Sequence, residues 1–135
     1  MTIAEHIATH PADRQTLIEA IHNLILKNDP SVEAVVGAMM GKEMILYNDR
    51  GSFKYGLAGV KEHMSLHCLP IYMNVALHAK YAAMVPKAKV QKGCINFKIE
   101  TEMPLDVVSA LISDCAPIDL IAIRQQYLDS KKKKK

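Results

Sequence analysis

Lys61, His63, Ser65 and His67 alternate with other residues across positions 61–68, and in an extended chain that spacing puts all four side chains on one face. An ammonium, two imidazoles and a hydroxyl in a row open three chemistries. Metal binding fits least. Along a strand the Cα atoms of His63 and His67 stand about 13 Å apart at ~3.3 Å per residue, beyond what one ion bridges. Met64 occupies the place where the zinc-protease helix motif carries its glutamate base, and Cys68 falls on the opposite face with Met64 and Leu66. Nucleophilic catalysis is better spaced, because Ser65 has a histidine about 6.6 Å away on either side, but no orienting acid or oxyanion donor stands out. Ligand binding asks for least: such a row on an open sheet face attracts a small anion or an acidic segment of a partner. The attraction grows as histidines charge below their usual pKa of about 6.5. Against all three stands the solvent face of a half-buried strand, which alternation produces without any function.

The remaining reactive residues are weaker signals. Glu100 and Glu102 end a β-prone run just before Pro104, where loop solvation accounts for them. His6 and His10 share a helix face, but His10 precedes a proline and is steered away from helical dihedrals, and His22 and His78 are isolated. The stretch Gly37-x3-Gly41-Lys42 lacks the Walker spacing and a following Ser or Thr, so no phosphate loop is expected. Eight methionines outnumber the five tyrosines and two phenylalanines, which fits a methionine-filled core or an adaptable apolar surface. No cofactor is implied.

The elements that position these residues follow from periodicity. Leu17, Ile18, Ile21, Leu24 and Ile25 predict an amphipathic helix over residues 11–27, opened by Pro11 and closed by Asn28-Asp29-Pro30. Residues 44–47 and 53–58 predict a hairpin around Asn48-Asp49-Arg50-Gly51. Residues 61–68 predict a half-buried strand, broken by Pro70. A helix over residues 74–85 and a strand over residues 94–99 follow, and two last helices start near Pro104 and Pro117. Their apolar stripes are Leu105, Val108, Leu111 and Ile112, then Leu120, Ile121, Ile123 and Tyr127. Strands in the middle and helices at the ends predict an α+β fold, with a mainly antiparallel sheet of four or five strands covered by helices on one face.

A chain of 135 residues, 50% hydrophobic and 23% charged, has the size and composition of one globular domain. The division expected is a single domain over residues 1–130 and a solvated or engineered lysine tail over residues 131–135. Without those five lysines the net charge of +3 becomes −2, so the body carries no basic surface for nucleic acid, and only the tail would attract it. The longest apolar run, residues 34–40, is far short of the ~20 a spanning helix needs. The first fifteen residues carry Glu5 and Asp13 with neither a basic nor an apolar signal region. Cytoplasmic residence is therefore expected, with Cys68, Cys94 and Cys115 as reduced thiols.

Three blocks then stand out: residues 56–67, Gly-Leu-Ala-Gly-Val-Lys-Glu-His-Met-Ser-Leu-His; residues 92–98, Lys-Gly-Cys-Ile-Asn-Phe-Lys; and the helix start Met103-Pro104-Leu105. Together with Pro30 and Glu33 in a Pro-x-x-Glu stretch, they resemble the YdhG-like family of small bacterial domains, over about Leu17 to Leu120. Where that family usually carries a Trp or Tyr and a Met-Pro-x-aromatic element, this chain reads Val36-Gly37-Ala38-Met39-Met40-Gly41. The resemblance implies the family's α+β fold. One member is described as a frataxin-like iron chaperone, a role that implies solvent-facing clusters of Asp and Glu as hard oxygen ligands. The first predicted helix carries only Asp13 and Glu19, with Asp29 beyond its end, so the fold is carried over and the iron role is not. Two functions of different class follow. The favoured one is a non-enzymatic, chaperone-like module that binds a small ligand, a metal or a protein partner, with Lys61, His63, Ser65 and His67 as ligand-binding residues. The alternative is a small hydrolase or transferase using Ser65 with His63 or His67.

Overall fold

The structure, a computed structural model, describes residues 1–39 and 41–133, with side chains as far as Ser130. Before the first expected helix the chain makes a short one, α1 (Ile3–Ala8). Thr2 and Glu5 close a capping box over its start: the Glu5 N–H donates to Thr2 Oγ1 at 3.1 Å and the Thr2 N–H to Glu5 Oε1 at 2.9 Å. The expected amphipathic helix is α2 (Ala12–Asn28), which buries Leu17, Ile18, Ile21 and Ile25.

Strands β1 (Val32–Met39), β2 (Lys42–Asp49), β3 (Ser52–Gly59) and β4 (Met64–Cys68) follow as an antiparallel meander. The β2–β3 turn is tighter than the predicted four-residue loop. Asn48 and Asp49 stay in β2, and only Arg50 and Gly51 turn the chain, both with positive φ (50° and 81°), as a two-residue turn matched to strand twist demands. Next come helices α3 (Leu69–Met73) and α4 (Val75–Met84), divided by Asn74, whose side chain caps α4 by accepting the Leu77 N–H at 3.1 Å. The chain then forms β5 (Lys89–Val90), β6 (Cys94–Phe97), α5 (Leu105–Cys115) and α6 (Leu120–Lys133). The lysine tail expected at residues 131–135 enters this description only as the backbone of α6 up to Lys133. The rest of it lies outside the described residues.

All pairings are antiparallel, in the order β1-β2-β3-β4-β6-β5. The expected α+β layout is present, and the sheet has six strands where four or five were expected. The edge strand β1 escapes sequence reading because residues 34–40 are apolar without alternation, and β5 is only two residues long. Ile45, Leu57, Leu66 and Ile95 face one another across β2, β3, β4 and β6, each at most 1% exposed. Their burial contributes roughly 1.5–3 kcal/mol apiece. They share one core with Ile18, Ile21 and Ile25 of α2 and Val108, Leu111 and Ile112 of α5.

A bulge between Tyr47 and Asn48 leaves Lys54 without a facing partner on β2, so Lys54 and Tyr55 both reach the same buried carboxylate, Asp29. Phe53 is held on the opposite face across Gly56, where a Cβ would lie 3.1 Å from its ring and 2.9 Å from Met44 Sδ. Among the described residues no helix is long and apolar enough to cross a membrane.

Candidate functional site

The polar row expected over residues 61–68 is divided by the start of β4. Lys61 and His63 precede the strand, in a loop where the Val60 N–H donates to the His63 carbonyl at 2.8 Å. The Arg14 guanidinium, reaching over from α2, donates to the carbonyls of Val60 and Lys61 and pins that loop. Lys61 is exposed and His63 half-buried. Only Ser65 and His67 keep the expected alternation, opposite Ala58 and Gly56 of β3. The strand is shorter than predicted because the loop backbone bonds to itself and to Arg14 instead of to β3.

Ser65 is buried, and its hydroxyl donates to Asn96 Oδ1 on β6 at 2.5 Å. Its proton therefore goes to an amide oxygen, where a serine nucleophile needs a basic acceptor. His67 is half-buried beside Cys94 of β6. Burial first, and the charge of Lys42 second, hold its pKa below the ordinary histidine value, so the neighbouring cation is not one of the expected row. Among the described residues no three His, Cys, Asp or Glu side chains gather to hold a metal ion.

A second polar cluster went unseen in the sequence. Asp29, which ends α2, and Lys54 of β3 are each 1% exposed and pair at 2.7 Å. The same carboxylate accepts the Tyr55 hydroxyl at 2.7 Å, the Ser31 hydroxyl at 2.5 Å and the Ser31 N–H at 3.2 Å. Lys54 also donates to the Ala116 carbonyl at 3.1 Å, just past α5. Each charge has its partners inside the protein, so the cluster ties α2, β3 and α5 together and presents nothing to a ligand.

An apolar opening lies at the turn end of the β2–β3 hairpin. Asp119 starts α6 by accepting the Ala122 N–H at 3.0 Å, and it also receives Arg50 from the β2–β3 turn at 2.7 Å. The backbone bond and the arginine both favour its ionised form, and its pKa lies below the usual carboxylate value. Fastened there, α6 runs over Ser52 and Phe53 of β3 and Leu69 and Met73 of α3 without closing onto them. The cleft left between measures about 620 Å³ and is lined on the helix side by Leu120, Ile121, Ile123, Arg124 and Tyr127. The last helix's predicted apolar stripe is therefore not core. Ile123 is 37% exposed and Tyr127 59%. The stripe was legible, but whether it met a wall or a gap depended on Phe53 and Met73, about 50 to 70 residues earlier in the chain.

The protein is thus a small α+β sheet protein with a preformed apolar cleft beneath its last helix. No family model, curated protein or solved structure matches the chain.

Proposed function

We propose that this protein is a non-enzymatic binding module that seats a small, largely apolar molecule in the cleft beneath α6. The observation that carries the reading is the cleft itself. Its volume of about 620 Å³ falls in the range of small-molecule sites, roughly 300–1,000 Å³, and apolar side chains line most of it with few polar ones. A bound apolar molecule also accounts for Ile123, Met73 and Tyr127, which the protein alone leaves partly in water.

Membership of the YdhG-like family belongs to the same proposal. Its support is that the blocks at residues 56–67 and 92–98 fall on β3, β4 and β6, three neighbouring strands, so they form one structural unit. Among the described residues no carboxylate or imidazole lines the cleft, and iron carriage is not part of the proposal. Residence in the cytosol is supported by three unpaired cysteines, two of them buried.

The test is binding of Nile red, a neutral apolar dye, followed by its fluorescence. Wild type is expected to bind the dye saturably, and Ile123→Trp and Met73→Trp, which fill the cleft from opposite walls, are expected to lose it. Equal binding by all three folded proteins, or no binding by wild type, rejects the cleft as the seat.

A further inference from the structure

We infer that the molecule seated beneath α6 is an apolar chain ending in a carboxylate, and that Arg124 with Ser52 forms its head-group anchor. This rests on the cleft being the binding seat. The chain has three arginines, and two of them are taken up by the protein. Arg14 holds the carbonyls of Val60 and Lys61, and Arg50 holds Asp49 and Asp119. Arg124 lines the cleft and has no hydrogen-bond or ion-pair partner among the described residues.

On the body side of the same cleft is Ser52, half-buried at the start of β3, whose hydroxyl likewise has no partner among the described residues. A guanidinium and a hydroxyl without internal partners therefore stand in the lining of an otherwise largely apolar cleft. Among the described residues that lining holds no carboxylate to balance the charge of Arg124.

The chemistry of these two groups selects the ligand's head. A guanidinium offers parallel N–H donors that match the two in-plane oxygens of a carboxylate, and a serine hydroxyl adds one further donor. Among the described residues the lining carries one positive charge, which suits a monoanion; a phosphate dianion is ordinarily held by several cations or a nest of backbone N–H groups. Arg124 is exposed, so the head would sit at the mouth in contact with water while the chain lies along Phe53, Leu69, Met73 and Ile123. A ligand whose polar end meets solvent and whose apolar end is covered keeps both ends satisfied. The same geometry disfavours a cationic amphiphile of equal length, whose head would meet Arg124 as a like charge.

The experiment compares decanoate, decanol and decylamine on the intact protein, each below its micelle concentration, by displacement of Nile red. Decanoate is expected to bind about tenfold more tightly than decanol, as a charge-assisted hydrogen bond would give, and decylamine more weakly than either. Arg124→Gln should collapse the decanoate-to-decanol ratio toward one, Arg124→Lys should keep part of it, and Ser52→Ala should lower it by less. A ratio near one in wild type, or one that survives Arg124→Gln, overturns the carboxylate assignment while the cleft stands as an apolar seat. Failure of all three compounds and of Nile red itself overturns both.

Discussion

Lys54 illustrates how one extra residue in a strand decides chemistry. Without the bulge at Tyr47 and Asn48, alternation would turn it away from Tyr55; with it, a lysine is buried against Asp29. Burial alone pushes the Asp29 pKa up, but hydrogen bonds from Lys54, Ser31 and Tyr55 outweigh that and hold it below the ordinary aspartate value. The stability this supplies is present above the unfolded pKa of about 3.9 and is lost as the pH falls through the lower folded value. Removing one partner is worse than removing both. Lys54→Met should cost about 3–5 kcal/mol, because it leaves a buried carboxylate without its cation, while Asp29→Leu combined with Lys54→Met should recover part of that loss. Urea unfolding of the single and double variants measures both, and a single-variant cost under about 1 kcal/mol would show that the pair is not desolvated.

Among the elements, α2 and α5 are core and α6 is not. Leu17, Ile18, Ile21 and Ile25 of α2 pack with Val108, Leu111 and Ile112 of α5, whereas α6 is fastened at its start by the Asp119 cap and the Arg50 bridge. A helix that packs outside the main core opens locally with little cost to the rest of the fold. Arg50→Ala and Asp119→Asn both remove the bridge, and the second keeps a capping side chain. Both should speed hydrogen exchange of α6 amides and leave α2 and α5 unchanged, as read by mass spectrometry on peptic fragments. Exchange in α6 identical to wild type in both variants would mean that the bridge does not hold the helix.

At the scale of the whole molecule, two histidines should make folding pH-dependent near neutrality. His22 accepts or donates a hydrogen bond at 2.7 Å with the buried Tyr47 hydroxyl, and burial lowers its pKa even though Glu19 pulls the other way; His67 is lowered by burial and by Lys42. Both are easier to protonate in the unfolded chain. Their contribution is therefore complete above about pH 7 and falls as the pH drops through about 6.5 toward the lower folded values. The urea midpoint of wild type should decline between pH 8 and pH 5.5, and a His22→Gln/His67→Gln variant should decline less. Equal slopes for the two proteins would remove both histidines from the account.

What the chain determined by itself is what depends on near neighbours. The 3.6-residue spacing in α2, the break of a strand at Pro70, the helix start at Pro104 and the existence of a hairpin turn after β2 follow from dihedral preferences and from alternation over a few residues, and they were legible, although the turn takes only Arg50 and Gly51 of the four residues expected. The capping box at Thr2 and Glu5 was equally local and pointed to α1, but six residues gave too little periodicity to read. Tertiary structure decided everything that depends on distance through space. It delayed the start of β4 to Met64 by giving the preceding loop to Arg14, and it turned the Ser65 proton to Asn96, 31 residues away. The cleft belongs to the same class, because Ser52 and Arg124 line one opening only after the hairpin and the last helix are brought together. Covalent geometry sets which residues share a face of one element, but which faces meet and which stay apart is set by packing among elements far apart in sequence.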